Sequence, residues 1–237
     1  MLSIIIPTLN EEKNISRILS AIKREKIDDL EVIIADAGSK DKTIEIAKSF
    51  GCVVTKGGLP AVGRNKGAKV AKRDMLLFLD ADIKLSTNFI KNALEEFIEK
   101  DLSIASFPIY PQKNNIYLNP FTLDLVYNYP QKLLETLFPM GAMGIMVKTK
   151  VFKKVKGFDE TIKLAEDVCF VQDCAQLGKF EIIDTSRLYM PTRRFEKDGY
   201  IRTGVKYLLC ALHMVFIGPV RSDILKYTFD YENKKKK

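Results

Sequence analysis

The chain holds a single histidine and four cysteines, none of them in a C-x-x-C pair. Thiols scattered at Cys52, Cys169, Cys174 and Cys210 neither suggest a disulfide framework nor match zinc-ligand spacing; a reducing cytoplasm is the default compartment. His213 stands alone in an apolar run and reads as a buried or interfacial ring, not as a metal ligand. No stretch reaches the roughly twenty apolar residues that cross a bilayer. The first apolar run, LSIIIP, is too short for the core of a signal peptide. Glycine is missing from PTLNEEKN, the segment after that run, where a sugar-nucleotide-synthesising nucleotidyltransferase would need a phosphate-cradling loop. Zinc, helix-turn-helix and RNP-like signatures are absent too, which counts against nucleic acid despite a net charge of +8. That charge still favours an anionic partner, such as nucleotide phosphates or an acidic membrane surface.

What is present is a foldable globular composition. At 237 residues, with 46% hydrophobic and 29% charged, the chain can bury a proper core as one large or two small domains. Short apolar runs alternate with helical patterns. LSIIIP precedes NEEKNISRILSAIKREK, whose Ile15, Ile18, Leu19 and Ile22 form one helical stripe. LEVIIADAGS, CVVTK and MLLFLDAD read as further strands; STNFIKNALEEFIEK reads as a helix capped by Ser86 and Thr87. Strands this apolar on both faces imply a mostly parallel sheet covered by helices, an α/β fold. Beyond Leu102, LSIASFPIY reads as one strand and NPFTLDLVYNYPQKLLETLF as a helix interrupted at Pro130. AEDVCFVQDCAQLGK reads as a helix with Gly178 as its C-terminal cap.

In LLFLDADIKL, Asp80 and Asp82 follow a buried strand two residues apart and so project to one side. Two such carboxylates repel unless a cation or donors satisfy them; helix capping at a strand end is the competing reading. Ligands in parallel sheets bind beyond the carboxyl ends of the strands, so Asp36 and the Asp80–Asp82 pair are expected on one rim.

The order of SIIIPTLNEE, DAGSKDKT, GRNKGAKVAKRDMLLFLDAD and AEDVCF resembles that of the family-2 glycosyltransferases, over roughly residues 2 to 185. The resemblance implies a GT-A fold: a Rossmann-like, mostly parallel central sheet flanked by helices, with apolar helices toward the C-terminus. It implies a donor half over about 1–105, an acceptor half over about 106–200, and a C-terminal apolar helix with a basic tail over 201–237. It also implies inverting transfer of a hexose from a nucleotide-diphosphate sugar, GDP-mannose or a UDP-hexose, to an acceptor hydroxyl or lipid phosphate. Mg²⁺ or Mn²⁺ is the implied cofactor, because a hard cation takes carboxylate and phosphate oxygens together.

By that resemblance Asp82 contacts the metal, and Asp80 lies against the ribose or assists the ion. Pro7, Thr8, Asn10 and Glu11 begin the nucleotide pocket, with Asn10 as a helix N-cap in the competing reading. Asp36 takes the nucleobase position, with Ala37 where the family's second Asp or Gly is common. Arg64 and Asn65 approach the nucleotide or diphosphate, against a plain solvated helix face. Glu166 and Asp167 match the E-D pair whose aspartate is the general base; carboxylates at a helix start for dipole reasons are the alternative. Met140, Gly141 and Ala142 fall near the acceptor, and Arg193 and Arg194 reach toward diphosphate oxygens or are surface charge. A non-catalytic nucleotide- or anion-binding module stands as the rival function.

GVKYLLCALHMVFIGPV, bounded by Arg202 and Arg221, is too short to span a bilayer. It either packs on the sheet or, with the aromatic stretch near Tyr117–Phe138, docks the enzyme on the inner face of the cell membrane beside a lipid-linked acceptor.

Overall fold

The computed structural model describes residues 1–221, apart from the side chains of Arg194 and Val215. The basic tail of the expected C-terminal segment lies outside the described residues. Strand β1 (Leu2–Thr8) is followed by α1 (Glu12–Arg24), β2 (Leu30–Asp36), α2 (Thr43–Ser49), β3 (Val53–Lys56), α3 (Pro60–Val70) and β4 (Met75–Leu79). Then come β5 (Lys84–Leu85), α4 (Phe89–Glu99), β6 (Ile104–Ser106) and β7 (Ile109–Pro111). Helices α5 (Pro120–Leu123) and α6 (Tyr129–Leu133) flank a π-helical turn, Asp124–Asn128. The chain continues through β8 (Gly144–Lys148), α7 (Thr149–Lys154), α8 (Glu166–Ala175), β9 (Phe180–Ile182), β10 (Leu188–Met190), α9 (Arg193–Asp198) and α10 (Tyr200–Phe216).

Seven strands form the main sheet in the order β3-β2-β1-β4-β8-β6-β9. β1, β2, β3 and β4 are mutually parallel, and β8 alone runs against its neighbours β4 and β6. Alternate residues sort the sheet's two faces. Ile4, Ile6, Leu77, Leu79 and Met146 pack on one side with the α1 stripe and α4. Ile5, Leu76, Phe78, Ile145 and Val147 pack on the other with α3, α7 and α8. Chain order reverses between β1 and β4, the position where open α/β sheets bind ligands.

Several local expectations change. The run LSIASFPIY is two strands: it breaks at Phe107–Pro108, and β7 joins β10 and β5 in a separate small sheet. Helix α4 starts at Phe89 after left-handed Asn88, not at Ser86–Thr87. Its first amides, on Ile90 and Lys91, donate to the Glu25 carboxylate at the end of α1. Gly178 does not adopt a left-handed cap conformation; a side chain there would collide with Ser103 Oγ at 2.1 Å, so close approach explains it. Pro130 is accommodated rather than breaking the chain's course. The π-turn before it carries the widened bond from Tyr129 N–H to Asp124 C=O, which relieves the clash a proline ring makes in a regular helix.

Candidate active site

Thr8, Asp36 and Asp80 stand at or just past the ends of β1, β2 and β4, so the register alone brings them to one rim. Asp36 is buried, and its oxygens already accept four hydrogen bonds. Gly38 N–H and Ser39 N–H reach Oδ1, both at 2.8 Å; Thr8 Oγ1 and Ser39 Oγ reach Oδ2, at 2.9 and 2.5 Å. A carboxylate offers about four acceptor sites, so here Asp36 shapes the 38–40 turn, with Gly38 at φ +97°. Asn10, itself left-handed at φ 54°, completes that turn by accepting Lys40 N–H and donating its own N–H to Ser39 Oγ. Asn10 therefore binds the neighbouring loop, and the residue preceding α1 is Glu11. Pro7 lies within β1, against the backbone of Gly63 on α3.

Arg64 is buried to 7% side-chain exposure and bridges two motifs. Its Nη1 donates to Glu166 Oε1 at 2.7 Å and its Nη2 to Asp80 Oδ1 at 3.0 Å, with the guanidinium 5.3 Å over the Phe158 ring. Burial works against its charge, but Asp80, Glu166 and Asp167 outweigh it and keep the group protonated. The guanidinium thus holds two carboxylates from different motifs together. Asn65, one residue on, is rotated about 100° around α3. It donates to Phe158 C=O and Glu160 Oε1 and accepts Phe158 N–H, so it pins the loop before α8.

Glu166 and Asp167 open α8, behind left-handed Ala165. Burial, then the adjacent Glu166 charge, push the Asp167 carboxyl up to about 7, opposed by Arg64. Asp80 moves upward as well, from burial first and against the pull of Arg64, while about a third of its side chain stays open. Asp82 Oδ2 lies 2.7 Å from Arg193 Nη2, which is also 3.8 Å from Glu11 Oε1. Arg194 follows Arg193 in the first turn of α9.

Met143 C=O accepts Asp80 N–H, which places the 140–143 loop against the acidic pair. A side chain on Gly141 would meet Val171 Cγ2 at 2.9 Å and Ser106 Oγ at 3.1 Å. Ala142, half-buried, packs against the small apolar cluster of Ile109, Leu118 and Met190.

Sequence reasoning missed the scaffold beneath Asp82. Arg17 Nη2 and Gln112 Nε2 both donate to its carbonyl, at 2.9 and 2.8 Å. Neither belongs to a motif, and the apolar stripe of α1 gives no sign of Arg17's role. It also missed Tyr127. Burial and then the Asp167 charge push that phenol upward, and Gln131 beside it holds Met140 C=O at 2.8 Å.

Among the described residues no cluster of three or more metal-type ligands occurs. A two-carboxylate set still suits Mg²⁺ or Mn²⁺, which is commonly held by one or two carboxylates plus substrate phosphates.

The doubly covered, mostly parallel sheet, with its acidic rim at the chain reversal, is a fold of the GT-A type. The profile of Glycosyl transferase family 2 matches residues 3–185, and the chain belongs to that family. It is 33% identical over 220 residues to 4,4'-diaponeurosporenoate glycosyltransferase of Staphylococcus haemolyticus, covering 84% of this chain and 55% of that one. It is 27% identical over 229 residues to the O-antigen chain rhamnosyltransferase RfbN of Salmonella typhimurium, covering 86% and 71%. An uncharacterized glycosyltransferase of Haemophilus influenzae is 29% identical, with 76% and 64% covered. The chain spans between about half and two-thirds of the length of the first of these relatives. In fold it is similar to S. aureus TarS 1-349 in complex with UDP-GlcNAc, at TM-score 0.64, 19% identity and 80% and 58% coverage. It is also similar to the mannosyltransferase PcManGT from Pyrobaculum calidifontis in complex with GDP-Man and Mn2+, at TM-score 0.61, 18% identity and 77% and 54% coverage.

Proposed function

We propose that the protein transfers a hexose, with inversion, from a nucleotide-diphosphate sugar to an acceptor hydroxyl, with Asp167 as general base. The observation that carries this is Arg64. One buried guanidinium holds Asp80 of the donor-side pair and Glu166 of the E-D pair, so leaving-group and base chemistry meet at one point. Residues about 1–105 form the donor half in this reading, and residues about 106–200 the acceptor half.

Asp82 and Asp80 would hold Mg²⁺ or Mn²⁺, which when bound neutralises charge developing on the departing diphosphate. Glu11, Thr8, Pro7 and the Asn10 and Asp36 turn shape the nucleotide end. Because the Asp36 oxygens are taken, base selection falls to backbone groups of that turn. Both UDP-hexose and GDP-mannose remain as donors, in line with the ligands of TarS and PcManGT. A base near pH 7 suits removal of a hydroxyl proton. A lipid phosphate is already ionised and would need no base, so the hydroxyl acceptor is favoured.

The reading extends to a membrane surface. Ile116, Phe121, Val126, Leu133 and Leu137 are exposed on and around α5 and α6; Ile201, Leu208, Phe216 and Ile217 are exposed along α10. Tyr117 stacks on Tyr200 at 5.7 Å, which joins the two groups into one apolar face. Monomeric soluble proteins rarely leave so much contiguous apolar surface in water. Arg202 and Lys206 on α10 suit an anionic leaflet, where a lipid-linked acceptor hydroxyl would be presented. No helix among the described residues is long and apolar enough to cross a membrane.

The direct test is a split between two variants. Asp167→Asn should abolish transfer and leave Mn²⁺-dependent nucleotide binding within about twofold, whereas Asp82→Ala should lose both. Equal loss of nucleotide binding in the two variants would contradict these roles.

A further inference from the structure

Arg193 starts α9 and reaches back across 111 residues of sequence to Asp82, with Nη2 2.7 Å from Oδ2. The contact is built into the packing. Thr192 Oγ1, at the residue before α9, donates to Glu196 Oε1 at 2.7 Å. Phe195 stacks on Tyr200 at 5.9 Å and meets Tyr207 edge-on at 6.0 Å, so α9 is anchored to α10. The Asp82 backbone is fixed in turn by Arg17 and Gln112. A guanidinium is therefore placed on the carboxylate assigned to the metal.

We propose that Arg193 is an internal counter-ion that competes with the divalent cation for Asp82, so that the cation enters only together with a diphosphate. This rests on the reading of Asp82 as a metal carboxylate. A guanidinium and a divalent ion on one carboxylate are like charges a few ångströms apart and repel strongly. A bare ion must displace the arginine from Asp82 and brings no anion to replace that 2.7 Å bond, Glu11 Oε1 standing farther off at 3.8 Å. A metal-bound diphosphate supplies phosphate oxygens that a guanidinium binds through parallel hydrogen bonds. Arg193 then exchanges one anion for another, and the ion takes Asp82. In this account Arg193 is a positioning residue that sets which form of the metal is admitted.

The test is Mn²⁺ binding to the full chain by calorimetry, alone and then with UDP and with GDP as probes, for wild type, Arg193→Gln and Arg193→Lys. Arg193→Gln should bind Mn²⁺ alone about tenfold more tightly and the Mn²⁺–diphosphate about tenfold more weakly, the size of one charge-assisted hydrogen bond. Arg193→Lys keeps the charge and should bind Mn²⁺ alone as the wild type does. The opposite directions are the signature. Unchanged Mn²⁺ affinity in Arg193→Gln would overturn the inference, as would a fall in both affinities together or a lysine variant that matches the glutamine one. Wild type that binds neither UDP nor GDP with Mn²⁺ would overturn the functional reading and this inference with it. Normal wild-type binding beside an unresponsive Arg193→Gln would overturn the inference alone.

Discussion

Asp167→Asn should make the protein more stable above pH 7 and leave it unchanged below pH 4. In the folded chain burial and Glu166 raise the Asp167 carboxyl from its ordinary 3.8 to about 7. Between those values the folded state binds a proton that the unfolded state has released, so stability falls as pH rises through this window. The cost is absent below about 4 and complete above about 7. The gap corresponds to about 4 kcal/mol for a fully enclosed carboxylate. Asp167 is only half-buried, so solvent screening cuts the expected gain from neutralising it to about 1–2 kcal/mol. For a chain of this length that is a rise in Tm of roughly 3–6 °C at pH 8. Thermal melts followed by circular dichroism from pH 4 to 8, wild type beside variant, measure it. A difference independent of pH, or a variant less stable at pH 8, would refute the assignment. The same shift predicts that kcat/KM of the wild type falls as pH drops below about 7, because the base must be ionised.

Arg64→Leu leaves Asp80 and Glu166 facing each other without their shared cation, and should cost about 3–5 kcal/mol in urea denaturation. Adding Glu166→Gln to that variant should recover part of the loss, and no recovery would mean the bridge does not carry the stability. For the apolar face, the wild-type chain should pellet with anionic liposomes at low salt. Leu208→Glu with Phe216→Glu should leave it in the supernatant, and equal partition of the two would count against docking.

The sheet was legible because its physics is local. Ile15, Ile18, Leu19 and Ile22 repeat at helical spacing, and all four are buried. Apolar runs ending in Asp36 and Asp80 placed two carboxylates on one rim through strand polarity alone. What could not be read depends on partners far away in sequence. Arg64 and Asn65 are neighbours in the chain and matched one motif, yet their side chains differ in partner: Arg64 crosses the Phe158 ring to Asp80 and Glu166, and Asn65 bonds the Phe158 backbone and Glu160. A sequence does not show that Gly38, Ser39 and Thr8 bond the Asp36 oxygens. The break at Pro108 was hidden inside an apolar run, where the change of sheet leaves hydrophobicity untouched. Arg17 and Gln112 act through side-chain reach to one backbone carbonyl, for which no residue pattern exists.

The most direct measurement is the thermal shift given by UDP and by GDP, each with and without Mn²⁺, on the wild type and Asp82→Ala. At one hundred times its dissociation constant, a ligand confined to the folded state adds about 2.7 kcal/mol. One diphosphate should therefore raise Tm by several degrees only when Mn²⁺ is present, and Asp82→Ala should lose that rise. Stabilisation of equal size without the ion, or retained in Asp82→Ala, would contradict an acidic rim that holds a metal-bound diphosphate.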